Sequence, residues 1–199
     1  MSNLKNKRVI TAALCGSWAT KDMNPAVPYT PEEIARDAYE CWKAGAAIVH
    51  IHVRNADGSP STKFELYKET IERIRAFPDC DVCLNITSSG SVDFGADERI
   101  YPLQQLLPEL ASYDAGTLNW QNRTVFMNPP AFLEKLGYAL QESNIKPEIE
   151  IFDAGMIYNT LYYLKKGVLK APCHYQIVLG CAGGITSTVE NLAYLKNLL

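Results

Sequence analysis

The sequence predicts an α/β chain on a parallel sheet, specifically a (β/α)8 TIM barrel that stops after about six βα units. Three observations predict it. Strand-like and helix-like pieces alternate along the whole length, which calls for parallel strands joined by helical crossovers. Polar residues gather at the carboxyl ends of most strands: His50 and His52, Thr87 to Ser89, Asp114 and Thr117, Glu150 and Asp153. No GxGxxG follows the first strand, where a dinucleotide-binding sheet would carry it. A barrel builds one site from all its strand ends on one rim, and a full one needs about 250 residues. The 199 residues are therefore expected to form a single barrel domain, 1–199, with its C-terminal units missing.

The elements follow in order. A first strand is expected over residues 8–14, behind the basic run Lys5-Asn6-Lys7-Arg8. That start mimics a signal peptide, but the apolar part is short and reads better as a strand. A helix over 31–44 has the clearest ends: Thr30-Pro31-Glu32-Glu33 supplies an N-cap, a proline at the first helical position and a capping-box glutamate. Ile34, Ala38, Cys41 and Trp42 mark its buried stripe, and Gly45 stops it. Further strands are expected over 46–53, 81–86, 113–117, 148–152 and 174–179, and further helices over 64–77, 97–110, 130–142, 156–166 and 187–198. Ser187-Thr188-Val189-Glu190 repeats the capping box on the last helix. No linker, repeat or low-complexity stretch interrupts this order.

Composition narrows the function classes. Hydrophobic residues make up 47% and charged residues 21%, enough apolar material for a core. A net charge of −3, with no longer basic run than residues 5–8, excludes nucleic acid as the expected partner. No segment approaches the ~18 apolar residues of a membrane span. The six cysteines, 15, 41, 80, 83, 173 and 181, are scattered, and no second pair answers Cys80-Asp81-Val82-Cys83. A reduced, cytoplasmic protein is expected.

The densest chemistry lies in Ala46-Ala47-Ile48-Val49-His50-Ile51-His52-Val53-Arg54. On a strand His50, His52 and Arg54 share one face, and Ala47, Val49, Ile51 and Val53 fill the other. Two imidazoles side by side form half of a first-row metal site, with zinc the usual occupant; the alternative is a pair of hydrogen-bonded core histidines. Glu148 and Glu150 share a face of the fifth strand. A glutamate inside a parallel strand is costly unless paired or near a metal, which marks Glu150 as a candidate; if the strand ends early, both are merely solvated. Gly16-Ser17-Trp18-Ala19-Thr20 and Thr87-Ser88-Ser89-Gly90 suit either oxygen-rich ligands or ordinary turns. Gly180-Cys181-Ala182-Gly183-Gly184 suits either a phosphate-bearing ligand or a plain left-handed turn. A four-histidine hydrolase site lacks histidines, since His174 sits at the leading end of its strand, and a serine nucleophile lacks its GxSxG elbow.

Several segments, in one order, resemble the β-keto acid cleavage enzymes, the family that includes 3-keto-5-aminohexanoate cleavage enzymes. They are Thr11-Ala12-Ala13-Leu14-Cys15-Gly16, Thr30-Pro31-Glu32-Glu33, residues 45–54, Asp57-Gly58-Ser59-Pro60-Ser61, Ala115-Gly116-Thr117-Leu118-Asn119, Pro147-Glu148-Ile149-Glu150 and Val178-Leu179-Gly180. The resemblance implies a (β/α)8 barrel in homotetramers. It implies a zinc-dependent acyl transfer between a β-keto acid and acetyl-CoA, giving acetoacetate and a new acyl-CoA. It makes His50 and His52 zinc ligands, gives Thr87, Gly90, Ser112 and Asp114 to the keto acid, and matches Glu150 to an active-site carboxylate. The family's third zinc ligand and its base are expected beyond Leu199. Asp114 stands where the best-known member has an asparagine, and Trp18 replaces a glutamate that grips the substrate's ammonium group, so Trp18 is a candidate for substrate binding. Two other readings stay open: a zinc-dependent hydrolase or aldolase barrel, and an inactive truncated chain that only binds ligand.

Overall fold

A computed structural model describes residues 7–199. In chain order the elements are β1 (Thr11–Ala13), α1 (Pro31–Lys43), β2 (Ile48–Ile51), β3 (Val53–Arg54), β4 (Pro60–Ser61), α2 (Phe64–Arg75) and β5 (Cys83–Ile86). Then come α3 (Ala96–Leu106), β6 (Leu110–Asp114), α4 (Pro130–Glu142), β7 (Lys146–Ile151), α5 (Ala154–Lys166), β8 (His174–Ile177) and α6 (Val189–Leu198). Six strands pair in parallel in the order β1-β2-β5-β6-β7-β8, a curled half-barrel, while β3 and β4 form a separate antiparallel hairpin. Among the described residues the sheet is open, with β1 and β8 at its edges. No helix among them is long and apolar enough to cross a membrane.

Alternation along the strands separates core from site. Val49, Ile51, Leu84, Ile86, Ala111, Tyr113, Ile149 and Ile151 are almost fully buried and join one apolar cluster with Ile34, Ala38, Leu133 and Leu136 of the helices. Each large aliphatic side chain so buried stabilises the fold by about 1.5–3 kcal/mol. The other parity carries polar groups in register: His50 beside Asn85, Ser112 beside Glu148, Asp114 beside Glu150, and Glu148 beside His174.

The structure corrects several boundaries. The strand expected over 46–53 ends at Ile51, and His52 falls between β2 and the β3–β4 hairpin. The strand expected over 113–117 is β6, Leu110–Asp114, because its ladder with β7 starts at Leu110 beside Lys146 and ends at Asp114 beside Glu150. The capping box forms on α1, between Thr30 and Glu33. It does not form on α6: Thr188 is the cap and accepts from the Asn191 amide at 3.1 Å, leaving Glu190 one position short of the box. Lys5 and Asn6 of the basic run lie outside the described residues. All six cysteines are free thiols.

The Gly180–Gly184 segment is a left-handed turn. The Gly180 amide donates to the Ile185 carbonyl and the Gly184 amide to the Cys181 carbonyl, 3.0 and 2.9 Å. Gly183 sits at φ +99°, where a Cβ would lie 1.8 Å from the Asn119 carbonyl oxygen. Gly183→Ala is therefore expected to cost about 2 kcal/mol or more, combining left-handed strain with a backbone clash. Gly167→Ala, at φ +80° with open space around it, is expected to cost about 1 kcal/mol. Urea denaturation of the two variants checks the difference, and equal losses would remove the close approach at Gly183.

Candidate active site

A cavity of about 310 Å³ opens at the carboxyl ends of the strands. Its floor and walls include His50, His52, Thr87, Asp114 and Glu150, and Trp18 stands at its mouth. The Nε2 atoms of His50 and His52 face each other at 3.1 Å. Both Nδ1 atoms are buried without a partner among the described residues. Burial pushes both imidazoles below the ordinary histidine value, assisted at His52 by the repulsion of His50 and Arg54 and opposed at His50 by Glu148. Neutral rings at neutral pH are the state a metal ligand needs.

A carboxylate wall lies beside them. One donor atom each from His50, Glu148 and Glu150 falls within 4.8 Å of the others. With His52 opposite His50, that is a mixed imidazole and carboxylate set of the kind zinc takes, and two nitrogens 3.1 Å apart suit Zn–N bonds of about 2.0–2.1 Å. The residues fit the ion. Glu148 is 1% exposed and held from both sides, accepting from the Asn85 side-chain amide and contacting His174 Nε2 at 3.2 Å. His174, at the leading end of β8, thus serves the floor beneath the site.

Asp114 and Glu150 are neighbours across β6 and β7. Burial raises the Asp114 carboxyl to about 6, opposed by the Arg99 guanidinium and reinforced by Glu148. Burial raises Glu150 well above the usual carboxylate range, and Asp114 and Glu148 add repulsion. Two acids and an adjacent fixed carboxylate in one dry wall cannot all ionise cheaply without a cation. The Asp114 Oδ2 atom is buried and has no hydrogen-bond partner among the described residues.

The remaining expected residues sit at different distances from the cavity. Trp18 lines it and is 57% exposed, free to meet a ligand rather than packed under its loop. Thr87 lines it and shares a 2.9 Å contact with the Ser89 hydroxyl. Ser112 lies behind the wall, accepting from the Ser88 amide at 2.9 Å. Gly90 seats its turn against Thr62 and Phe94. Arg54 does not join the histidine face: its guanidinium is spent on backbone carbonyls.

Sequence reasoning missed two groups. Asn85 has a signal, because it shares strand parity with Thr87 and stands polar between Leu84 and Ile86. Arg99 on α3 has none. Its guanidinium donates to the Ser88 carbonyl at 2.6 Å, the Met127 carbonyl at 3.0 Å and Asn128 Oδ1 at 2.6 Å, lying 3.8 Å over the Phe132 ring. It ties the loop after β5 to the loop after β6, and burial lowers it to about 10, opposed by Asp114.

Comparison with known proteins identifies the relatives of this chain. The 3-keto-5-aminohexanoate cleavage enzyme of Fusobacterium nucleatum subsp. nucleatum is 44% identical over 194 residues, 97% of this chain and 70% of that protein. The 3-dehydrocarnitine:acetyl-CoA trimethylamine transferase of Rhizobium meliloti (strain 1021) is 32% identical over 209 residues, 94% of this chain and 69% of that protein. Among solved structures, apo ObcA superposes with a TM-score of 0.71 at 22% identity, over 79% of this chain and 37% of its own, a likeness of fold. The profile of the beta-keto acid cleavage enzymes matches residues 7–199, and with relatives this similar over nearly the whole length the chain belongs to that family.

Proposed function

We propose that the complete protein is a zinc-dependent acyltransferase that converts a β-keto acid and acetyl-CoA into acetoacetate and a new acyl-CoA. We further infer that the curled sheet belongs to a (β/α)8 barrel. The observation that carries the reading is the opposed pair of Nε2 atoms beside the carboxylates of Glu148, buried, and Glu150, in the cavity wall. The names of the relatives, acetyl-CoA transferases and keto acid cleavage enzymes, support it.

His50 and His52 would hold the ion through Nε2, with a glutamate of β7 as the carboxylate donor within reach. Zinc, when bound, polarises the keto oxygen and so acidifies the adjacent methylene. The Thr87 and Ser89 hydroxyls offer donors to substrate oxygens, with Ser112 and Gly90 shaping the turn that presents them. Glu150, next to Asp114 in the cavity wall, offers its carboxyl to the ion or to a substrate oxygen where charge develops. Loss of the methylene proton to a carboxylate leaves a carbanion that attacks the acetyl carbon. The CoA thiolate so released adds to the original keto carbon, and the bond between that carbon and the former methylene breaks. The carbanion so formed takes the proton back from the carboxylic acid, and acetoacetate and the new thioester leave.

Trp18 sets the expected substrate. An indole wall offers no partner to a primary ammonium, a charge-assisted contact of about 1.5–3 kcal/mol. It favours an aliphatic tail by burial, or a quaternary ammonium by cation–π attraction. The expected result is acetoacetate formation that stops when acetyl-CoA is omitted, and lower kcat/KM for a primary-amino keto acid than for trimethylammonio or aliphatic ones. Product without acetyl-CoA would favour a hydrolase or aldolase instead. A primary-amino substrate in first place would remove the reading of Trp18.

A further inference from the structure

Residues 14–30 run from β1 to α1 without regular structure, and they carry Ser17, Trp18 and Ala19 into the cavity wall. A connection of that length needs something to give it one shape. Its first leg is gathered by a single side chain. Arg54, 3% exposed, donates from Nε to the Gly16 carbonyl at 3.0 Å and from Nη2 to the Cys15 and Ala19 carbonyls at 3.1 and 2.9 Å. Nη1 reaches the Gly58 carbonyl in the β3–β4 turn at 2.9 Å, and the Tyr29 ring lies 5.2 Å from the guanidinium carbon. The second leg is pinned by the same ring, whose hydroxyl accepts from the Lys21 amide at 2.8 Å. The three acceptors at Cys15, Gly16 and Ala19 bracket Trp18 on both sides.

All four partners are neutral backbone oxygens. A buried cation must be satisfied by such bonds, and charge-assisted ones are the stronger kind. Only a planar fork with donors on three nitrogens reaches four carbonyls in different directions; an ammonium is a point charge with three donors. The indole itself is 57% exposed, so the backbone beneath it, rather than packing around it, decides where it stands.

We propose that Arg54 is a specificity-positioning residue, which sets the Trp18 wall by clasping the carbonyls on either side of it. This deepens the reading of the cavity as a keto acid site and rests on it for the substrate arm alone.

Residues 1–199 carry three tryptophans, 18, 42 and 120, and 5-fluorotryptophan labelling gives each a 19F resonance, assigned by single Trp→Phe variants. Arg54→Lys is expected to move or broaden the Trp18 resonance and leave those of Trp42 and Trp120 in place. In the assay with three keto acids, Arg54→Lys and Trp18→Ala should each narrow the parent's preference by about tenfold, and the double variant should narrow it no further. An unmoved Trp18 resonance in folded Arg54→Lys, or effects that multiply in the double variant, would overturn the proposal. If Arg54→Lys does not fold, Tyr29→Leu, which removes the ring behind the guanidinium, is read the same way. A parent that turns over no keto acid would sink the functional reading, and the 19F spectra would still decide the role of Arg54.

Discussion

Replacing both histidines, His50→Ala with His52→Ala, is expected to strip the site of zinc and lower kcat/KM by about 10³-fold or more, since Lewis-acid catalysis supplies several kcal/mol and each 1.36 kcal/mol is tenfold. The fold should survive. His50 on β2 and His52 just past its end both line the cavity, while Val49 and Ile51 of that strand stay anchored in the core. Their Nδ1 atoms are buried without partners among the described residues, so truncation also removes two unsatisfied polar groups. Elemental analysis reads the metal, and circular dichroism with a urea midpoint reads the fold. Equal zinc in variant and parent would end the metal reading, and the histidines would then be a mutually bonded core pair.

How far the site could be read from residues depended on the range of the interactions that make it. The alternation over β2 is local, and it put His50 opposite Val49 and Ile51 as found. The α1 cap is local too, and Thr30 and Glu33 form their box as expected. Arg54 was misjudged because period two was carried through His52, where the chain leaves the ladder. The next two residues pair with Pro60 and Ser61 instead. The shift of β6 toward Leu110 comes from its pairing with β7, some 36 residues later, a register no local pattern encodes. Arg99 was invisible for the same reason: its acceptors lie at 88, 127 and 128, and only the fold gathers them.

Asp114→Asn is expected to stabilise the metal-free protein above pH 6 and to change nothing below about pH 4. Burial, net of the attraction of Arg99, lifts the folded carboxyl from 3.8 to about 6. Below the lower value the group is protonated in both folded and unfolded chains and contributes no difference. Between the two values the folded chain holds the proton that the unfolded chain has released, so stability falls as pH rises through that window. Above about 6 the full cost of a buried, crowded carboxylate is present, on the order of 2–3 kcal/mol at 1.36 kcal/mol per pKa unit. An asparagine of similar shape never ionises and escapes that cost. It also withdraws one of the charges that raise Glu150, whose carboxyl should then titrate nearer its ordinary value. Urea denaturation in chelator at pH 4 and pH 7.5 measures the difference. Zinc should narrow it, because a divalent cation among Glu148, Glu150 and the histidines stabilises every nearby carboxylate in its ionised form. A gap that persists unchanged under saturating zinc would put the ion somewhere other than this wall. A variant no more stable than the parent at pH 7.5 would mean that Arg99 and the polar rim already compensate the Asp114 charge.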